Sequence, residues 1–193
     1  MAKKKKEDYK ITFKKFIGHL HVVNRHRFKV FCLCVRAGVP LRGLLHDLSK
    51  YSFIEFWEGV KYFSKDYSPI ITCKKVNGYS EAWLHHKGRN KHHYEYWYDY
   101  ATIEPTPIIP YKYFVEMVCD RVAACRIYQK KAYTSASALE YFNTRNDRLY
   151  MHPSTAEQLH DVLQQIAQNG EKAVFAQLKM QLKQYQKPQT DQR

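Results

Sequence analysis

Apolar residues recur at helical spacing along most of the chain, and no segment shows the sustained alternation that is typical of a strand. Gly and Pro are scarce, at seven each, which disfavours a turn-rich β fold. The polar segment 65–78, with Pro69 and Asn77-Gly78, predicts a loop. The pattern therefore predicts an all-α fold, with helices over about residues 7–37, 41–50, 52–64, 80–100 and 111–130, a short one from 137, and amphipathic ones over 154–169 and 171–185.

Short local signals set the helix boundaries. Gly38 and Pro40 end the first helix, because glycine suits a C-cap and proline cannot continue a helix. Glycines at positions 18 and 88 predict a break in the first helix and an interruption of helix 80–100. Ser followed three residues later by Glu is a capping-box pattern, and it marks helix starts at 52–55, 137–140 and 154–157.

Two helices carry the most apolar stretches and should supply the core. Segment Phe28–Val35 is apolar nearly all round, so we expect it to lie deep in the protein. Helix 111–130 carries an inner stripe that consists of Phe114, Val115, Val118, Val122 and Ala123.

A length of 193 residues fits one ordinary domain with a short appendage. We divide the chain into a basic N-terminal tail, 1–10, which contains Lys3–Lys6, a helical domain, 11–145, a C-terminal helical extension, 146–186, and a flexible tail, 187–193. The two amphipathic helices of the extension either cover the core or form a homodimer.

The chain is strongly basic, with 32 Lys plus Arg against 18 Asp plus Glu and a net charge of +14. Such an excess favours polyanionic partners such as nucleic acid, nucleotides or anionic lipid. The charge is spread along the chain, and no RNP or zinc-finger spacing focuses it. Nucleic acid is therefore one candidate partner rather than the leading one.

Cysteine use and hydropathy favour a reducing cytoplasm. The five Cys are odd in number and form no C-x-x-C pair, which disfavours both a disulfide framework and a cysteine zinc site. Four of them, Cys32, Cys34, Cys119 and Cys125, lie among apolar residues and are expected to be buried. No apolar run is long enough for a membrane span, and no signal peptide is evident.

Four side chains have the chemistry and the setting of metal ligands. His46 and Asp47 place an imidazole beside a carboxylate, although an ion pair at a helix end is the simpler explanation for such a pair alone. His26 and Asp120 each lie in an otherwise apolar helix. A carboxylate on a buried helix face is costly unless it is paired or metal-bound. The four predict a divalent-metal site, with pairing of Asp120 to a nearby arginine, at 121 or 126, as the alternative.

The order of these residues resembles the H…HD…D signature of the HD superfamily. His26, then His46-Asp47 within Leu44 to Lys50, then Asp120 within Cys119 to Val122 are similar to its ligands, over roughly residues 15 to 130. The resemblance implies a metal-dependent helical bundle, here with two extra C-terminal amphipathic helices, that hydrolyses phosphate esters of nucleotides. The stretch from Trp83 to His93 also resembles a small group of HD-like proteins from bacteria and phages.

That stretch holds four His and three basic residues: His85, His86, Lys87, Arg89, Lys91, His92 and His93. On an unbroken helix, His86 and His93 share a face, as do His85 and His92. One hypothesis is a basic rim, in which Lys87, Arg89, Lys91 and His92 bind substrate phosphate. Another is a second metal held by His86 with His92 or His93, as the resemblance to some HD enzymes implies. A purely structural role is the third.

Three further features are candidates near the site. Lys50 follows the doublet by one turn and would neutralise a phosphate oxygen, unless it is a solvated surface residue. Glu116 precedes Asp120 by one turn, and we slightly favour a surface charge over a partner for the ligands. Aromatic residues that could stack a base, or simply fill the core, are Tyr94, Tyr96, Trp97, Tyr98 and Tyr100.

The leading functional prediction is hydrolysis of a nucleotide or similar small phosphate ester, with one or two divalent ions drawn from Mn, Fe, Co, Ni, Zn or Mg. Asp47 would ligate the metal and orient the attacking water, and Lys50 would assist. The alternative from another class is a non-catalytic protein that binds a nucleotide or nucleic acid on the same scaffold, such as a phage counter-defence factor. A weaker third hypothesis is a di-iron oxygenase, which would need the second site.

Overall fold

The structure, a computed structural model, describes residues 9–185 and contains only helical elements and connections within that range. The all-α prediction is confirmed. The predicted basic run Lys3–Lys6 and the predicted tail 187–193 lie outside the described residues. The α-helices in this range are α1 Phe13–Arg36, α2 Pro40–Leu45, α3 Phe53–Lys61, α4 Pro69–Asn77, α5 Glu81–Lys87, α6 Tyr111–Gln129, α7 Ser137–Asn143, α8 Pro153–Asn169 and α9 Glu171–Tyr185.

Helices α1 and α6 pack against each other at the centre, and α8 and α9 cover them. The predicted stripe on α6 is fully buried. The apolar faces of α8 and α9 belong to the same hydrophobic cluster as that stripe, through residues such as Leu163, Ile166, Phe175 and Leu178. The apolar faces of the two C-terminal helices are therefore buried against the core.

Capping explains where several helices begin. The Ser52 side chain accepts a hydrogen bond from the backbone N–H of Glu55, as the capping box predicts. The other two predicted capping boxes are wrong. Ser137 lies inside α7, where its hydroxyl accepts from the N–H of Thr134, and α8 begins at Pro153 with His152 as its cap. Proline suits a first helical position because it needs no N–H partner there.

Three predicted boundaries differ from the structure. α1 runs unbroken through Gly18, where the missing side chain gives room to Phe63: a Cβ built there would lie 2.5 Å from that ring. The predicted loop 65–78 is wrong, because Pro69 begins α4 rather than excluding a helix, and Gly78 ends it in a left-handed conformation. The helix predicted over 80–100 ends at Lys87.

The expectation that Phe28–Val35 is buried on all sides is wrong. Val30, Leu33 and Cys34 are buried, but Phe28 is 66% exposed and Val35 is also exposed. Only one face of α1 meets the core, so an apolar composition all round does not give burial all round. For the same reason Cys32 is half-buried, while the other three cysteines predicted to be buried are buried.

None of the helices in residues 9–185 combines the length and hydrophobicity that a bilayer span requires.

Replacing Gly43 tests the close packing of α2 on α1. A Cβ built on Gly43 would lie 2.6 Å from the Cβ of Cys34 and 3.0 Å from the Cα of Phe31, so the backbones must separate. We expect Gly43→Ala to lower the free energy of unfolding by about 1–3 kcal/mol, as overpacking does. Leu44→Ala on the same helix is the control, since Leu44 is 58% exposed and its loss should change stability by less than about 0.5 kcal/mol. Equal denaturation midpoints for the two variants would contradict the packing.

Candidate metal centre

The His46-Asp47 doublet lies in a break between two helical turns, and not within a helix as predicted. α2 ends at Leu45, and a 3-10 turn begins at Leu48. Asp47 has a φ of 53° and a ψ of 28°, a left-handed conformation that a non-glycine residue adopts at some cost. The Arg27 guanidinium holds this break, donating to the carbonyls of His46 at 2.8 Å and Leu44 at 2.9 Å. The break turns both side chains of the doublet inward.

All four ligands predicted from the sequence meet at one place, and their candidate ligand atoms lie within 4.8 Å of one another. His26 Nε2 is 3.0 Å from Asp120 Oδ1 and 3.4 Å from His46 Nε2. Asp47 Oδ2 is 3.2 Å from His46 Nε2 and 3.6 Å from His26 Nε2. Two atoms about 2.1 Å from one tetrahedral ion lie roughly 3.4 Å apart, so these spacings fit ligands of a single ion. We call these four residues the first group.

A second group shares Asp47 and adds His86, His92 and His93, again with ligand atoms within 4.8 Å of one another. The other carboxylate oxygen, Asp47 Oδ1, faces this group, 3.2 Å from His86 Nε2 and 3.5 Å from His92 Nε2. Buried Asp47 Oδ1, both ring nitrogens of His92 and His93 Nε2 have no hydrogen-bond partner among residues 9–185. Such orphaned polar atoms are costly, and a cation bound among them would satisfy Asp47 Oδ1 and one nitrogen of each ring.

Asp47 therefore occupies the position of a bridge, with one oxygen toward each group. The structure places the predicted second-metal residues His86 and His93 together, and it places His92 with them rather than on a basic rim. The helix-face argument that suggested this is wrong, because α5 ends before His92. The chain instead turns at 88–93, where the Asn90 side chain donates to the carbonyl of His86 at 2.8 Å and to Ser49 Oγ at 2.8 Å.

Two buried glutamates accept hydrogen bonds from histidine side chains of the site. Glu55 accepts from His86 Nδ1 at 2.7 Å and from His85 Nδ1 at 2.6 Å, so His85 faces Glu55 and is in neither ligand group. Glu116 accepts from His46 Nδ1 at 3.0 Å. A hydrogen bond at Nδ1 leaves Nε2 aimed at the ion, which is the usual arrangement behind metal-binding histidines.

The interpretation of Glu116 as a surface charge is wrong, since its side chain is 0% exposed. Its Oε1 also lies 3.1 Å from His92 Nδ1, an ion-pair contact without the geometry of a hydrogen bond, and its Oε2 accepts from Arg42 Nε at 2.7 Å. Glu116, His46 and His92 could themselves hold an ion. We favour the orienting role because the Nε2 atoms of both histidines face Asp47.

Burial and charge together shift the pKa values in the two groups. Burial opposes charge on His46, but Asp47, Asp120 and Glu116 outweigh it and raise the pKa of His46 well above its usual range. Burial would raise the pKa of Glu116, yet His46 and His92 lower it to about 2. Burial and the neighbouring imidazoles lower the pKa values of His92 and His93. The second group thus presents two neutral imidazoles, the form that binds metal.

Lys50 contacts Asp47 Oδ2 and lines the adjoining cavity, so it is not the solvated surface residue of the alternative. Burial would lower the pKa of Lys50, but Asp47 and Asp120 raise it, and its ammonium remains charged. The lysine therefore supplies a fixed positive charge beside the bridging carboxylate.

A cavity of about 550 Å³ opens onto both ligand groups. Its lining includes two arginines that the sequence alone had not suggested for substrate binding, Arg121 and Arg145. Asp147 Oδ2 accepts from Arg121 at 3.0 Å, and Asp147 Oδ1 accepts from Arg145 at 3.1 Å and from the Tyr94 hydroxyl at 3.1 Å. The suggested pairing of Asp120 with Arg121 or Arg126 is wrong, because Arg121 pairs with Asp147 and Arg126 pairs with Glu171.

Lys87, Arg89 and Lys91, the other members of the predicted rim, do not line this cavity. Lys91 instead lies over the rings of Tyr96 and Tyr113, at 5.6 Å and 5.7 Å. Of the aromatic residues suggested for base stacking, only Tyr94 lines the cavity, and the other aromatic rings there are Phe63, Tyr67, Trp83, Tyr128 and Tyr141.

Comparison with known proteins gives one match. A family model described as a family of unknown function, DUF5662, matches residues 15–166, a range that includes every member of both ligand groups. No curated protein and no solved structure matches the chain.

Removing the Glu116 charge should weaken metal binding. Glu116→Gln keeps the shape but loses the carboxylate that fixes His46, and loss of such a partner typically lowers metal affinity about 10- to 100-fold. Titration of the purified protein with Zn²⁺ or Mn²⁺ measures this. Glu140→Gln, an exposed position on α7, is the control and should bind like the unaltered protein. If the two variants bind equally, Glu116 does not orient the ligands.

Metal binding should release protons. In the metal-free protein the raised pKa of His46 keeps its imidazole protonated at pH 7, and a ligand must be neutral. Affinity should therefore rise as the pH rises toward that pKa, and calorimetry in buffers of different ionisation enthalpy should detect at least one released proton. The stability of the metal-free fold has the opposite dependence on pH. The stability from charged His46 is complete below about pH 6.5 and is lost as the pH rises through the raised pKa. A pH-independent affinity would contradict both statements.

Proposed function

We propose that this chain, a member of the DUF5662 family, is a metal-dependent phosphohydrolase that cleaves a nucleotide or similar small phosphate ester. The observation that carries the proposal is Asp47, whose two oxygens each face a separate buried ligand group at one end of a cavity. Two ions about 3.5–4 Å apart are a recurrent arrangement in enzymes that hydrolyse phosphate esters.

The resemblance to the HD superfamily supports the same proposal. His26, His46, Asp47 and Asp120, which carry the signature, come from three separate parts of the chain and converge within 4.8 Å. Convergence of residues that the signature singles out is what an HD-type site requires. We therefore propose that the fold is an HD-like helical bundle in which α8 and α9 are additional.

Each ligand group, and the residues that contact it, has a distinct role in this proposal. The first group would hold one ion and the second group another, with Asp47 shared. Bound divalent ions would supply Lewis acidity and lower the pKa of a coordinated water. Lys50 offsets negative charge beside Asp47, while Glu55 and Glu116 keep the imidazoles pointed inward.

The lining of the cavity suits a nucleotide or a similarly small phosphate ester. A volume of about 550 Å³ is within the range of small-molecule sites. Arg121 and Arg145 present guanidinium groups that favour phosphate, and Asp147 holds both of them in place. Tyr94, Trp83 and Tyr128 offer apolar faces for a base. A mononucleotide or a similarly small phosphate ester fits these features.

Hydrolysis can be tested on a panel of nucleotides with Mn²⁺, Fe²⁺, Co²⁺, Ni²⁺, Zn²⁺ or Mg²⁺, measuring released phosphate. We expect activity with at least one pair of metal and nucleotide, and a loss of on the order of 10³-fold or more in Asp47→Asn, which removes charge from the shared ligand. Asp161→Asn, an exposed change on α8, is the control and should retain full activity. The proposed hydrolytic activity would be refuted if no condition released phosphate and the Asp47→Asn variant were indistinguishable from the unaltered protein.

The shared carboxylate also suits oxidative chemistry at two irons, which is the second candidate function. The two ligand groups together supply five histidines and two aspartates, a nitrogen-rich set that iron accepts. Oxygen consumption by the Fe²⁺-loaded protein, without phosphate release from any nucleotide, would favour this candidate over hydrolysis.

A further inference from the structure

A second concave surface, separate from the metal-bearing cavity, is strongly basic. This depression has a volume of about 380 Å³ and is open to solvent. Its lining consists of five cations and one aromatic residue: Arg25, Lys29, Arg126, Lys130, Lys131 and Tyr133. We call it the basic depression. No acidic residue within 9–185 lines it.

Two of the five cations have acidic partners nearby. Arg126 pairs with Glu171 at 2.5 Å, and Lys130 pairs with Asp66 at 3.1 Å. The hydroxyl of Tyr133 also donates to Glu171. The two acidic partners offset two of the five positive charges and leave three uncompensated.

The other three cations, Arg25, Lys29 and Lys131, form no ion pair with an acidic side chain of residues 9–185. Like charges gathered in a concave surface repel one another, and the field there attracts anions. The three uncompensated side chains come from two separate elements, α1 and the turn after α6. An anion seated between those elements would relieve the repulsion from both sides.

The basic depression adjoins the metal-bearing cavity. Asp66 lines the cavity, and its ion-pair partner Lys130 lines the depression. Gln129, next to Lys130 in the chain, also lines the cavity. On α1 the cavity-lining ligand His26 lies one turn before Lys29. The two concave surfaces are therefore neighbours on the protein.

We propose that the basic depression binds the phosphodiester backbone of single-stranded nucleic acid. Five cations exceed what one phosphate group engages, and the depression is open, as an extended ligand requires. The Arg126 guanidinium lies over one face of the Tyr133 ring, 5.3 Å from its centroid, so a base would stack on the opposite face. A basic surface combined with an aromatic face is the usual means of holding a single strand without sequence preference. That a bound strand also presents a phosphate to Asp47 rests on the proposed function, whereas the binding itself does not.

The test measures binding of a fluorescein-labelled single-stranded DNA of about 12 nucleotides, a length typical of such sites. Phosphorothioate linkages protect it from hydrolysis, and anisotropy is recorded between about 50 and 200 mM salt with the full chain as purified. The variant Lys29→Gln/Lys131→Gln removes two charges from the depression. The matched control, Lys179→Gln/Lys183→Gln, removes two charges from exposed positions on α9. Circular dichroism checks that both variants are folded.

We expect the Lys29/Lys131 variant to bind roughly tenfold or more weakly at about 50 mM salt, and its salt slope to fall by about 1.4, since each lost phosphate contact removes about 0.7. The control should bind like the unaltered protein. Equal weakening in both double variants would overturn the proposal, because it would show an effect of net charge alone. No binding by the unaltered protein would also overturn it, as would Lys29- and Lys131-dependent binding to phosphatidylserine vesicles in place of DNA.

Phosphate release from mononucleotides separates this proposal from the enzymatic one. The Lys29/Lys131 variant should retain that activity, because neither lysine lines the metal-bearing cavity. A protein that binds the strand through Lys29 and Lys131 but releases no phosphate would support the basic depression while refuting the hydrolase.

Discussion

The burial of one carboxylate organises the candidate site. Asp47 is 1% exposed and carries a full negative charge, since His46, Lys50 and His86 overcome the effect of burial and hold its pKa well below the usual range. An uncompensated charge in such a place would cost several kcal/mol. The protein meets this cost with cationic and imidazole groups on every side of the carboxylate. Glu55 and Glu116, which accept hydrogen bonds from these imidazoles, are buried as well.

The same constraint links protons to metal ions. Without an ion, Asp47, Asp120 and Glu116 surround His46, and their combined charge favours an extra proton on that imidazole. A divalent ion would replace that proton and satisfy the same oxygens. The second group differs, because His92 and His93 have lowered pKa values and buried nitrogens without hydrogen-bond partners. These two histidines are therefore suited to bind a metal ion rather than a proton.

Sequence reasoning could name the first group because its members stand out from their surroundings. His26 and Asp120 interrupt apolar helices that had to be buried, and a polar side chain there needs a partner. The helical class was equally accessible, since periodicity repeats along the whole chain. Capping was less reliable: Ser52 caps its helix, but Ser137 does not, because it is the first residue of α7 and its hydroxyl accepts from the N–H of Thr134.

Other features depend on contacts that no local pattern records. The left-handed Asp47 is held by Arg27, which lies 19 residues from the carbonyl that it binds. The turn after Gly88, and not the expected helix, brings His92 and His93 to Asp47. Nothing in the spacing of these histidines indicated this turn. Glu116 resembled a surface charge because its partner Arg42 is 74 residues away. Arg145 lies beyond residues 15 to 130, the range of the resemblance, so the resemblance gave no guidance there.

We propose that two metal ions share Asp47, and a crystal structure with anomalous diffraction data tests this most directly. Data collected above and below the absorption edge of the bound metal locate ions independently of the protein atoms. Two anomalous peaks about 3.5–4 Å apart are expected, one on each side of the Asp47 carboxylate. A single peak remote from Asp47, or none in crystals grown with saturating Mn²⁺ or Zn²⁺, would contradict the claim.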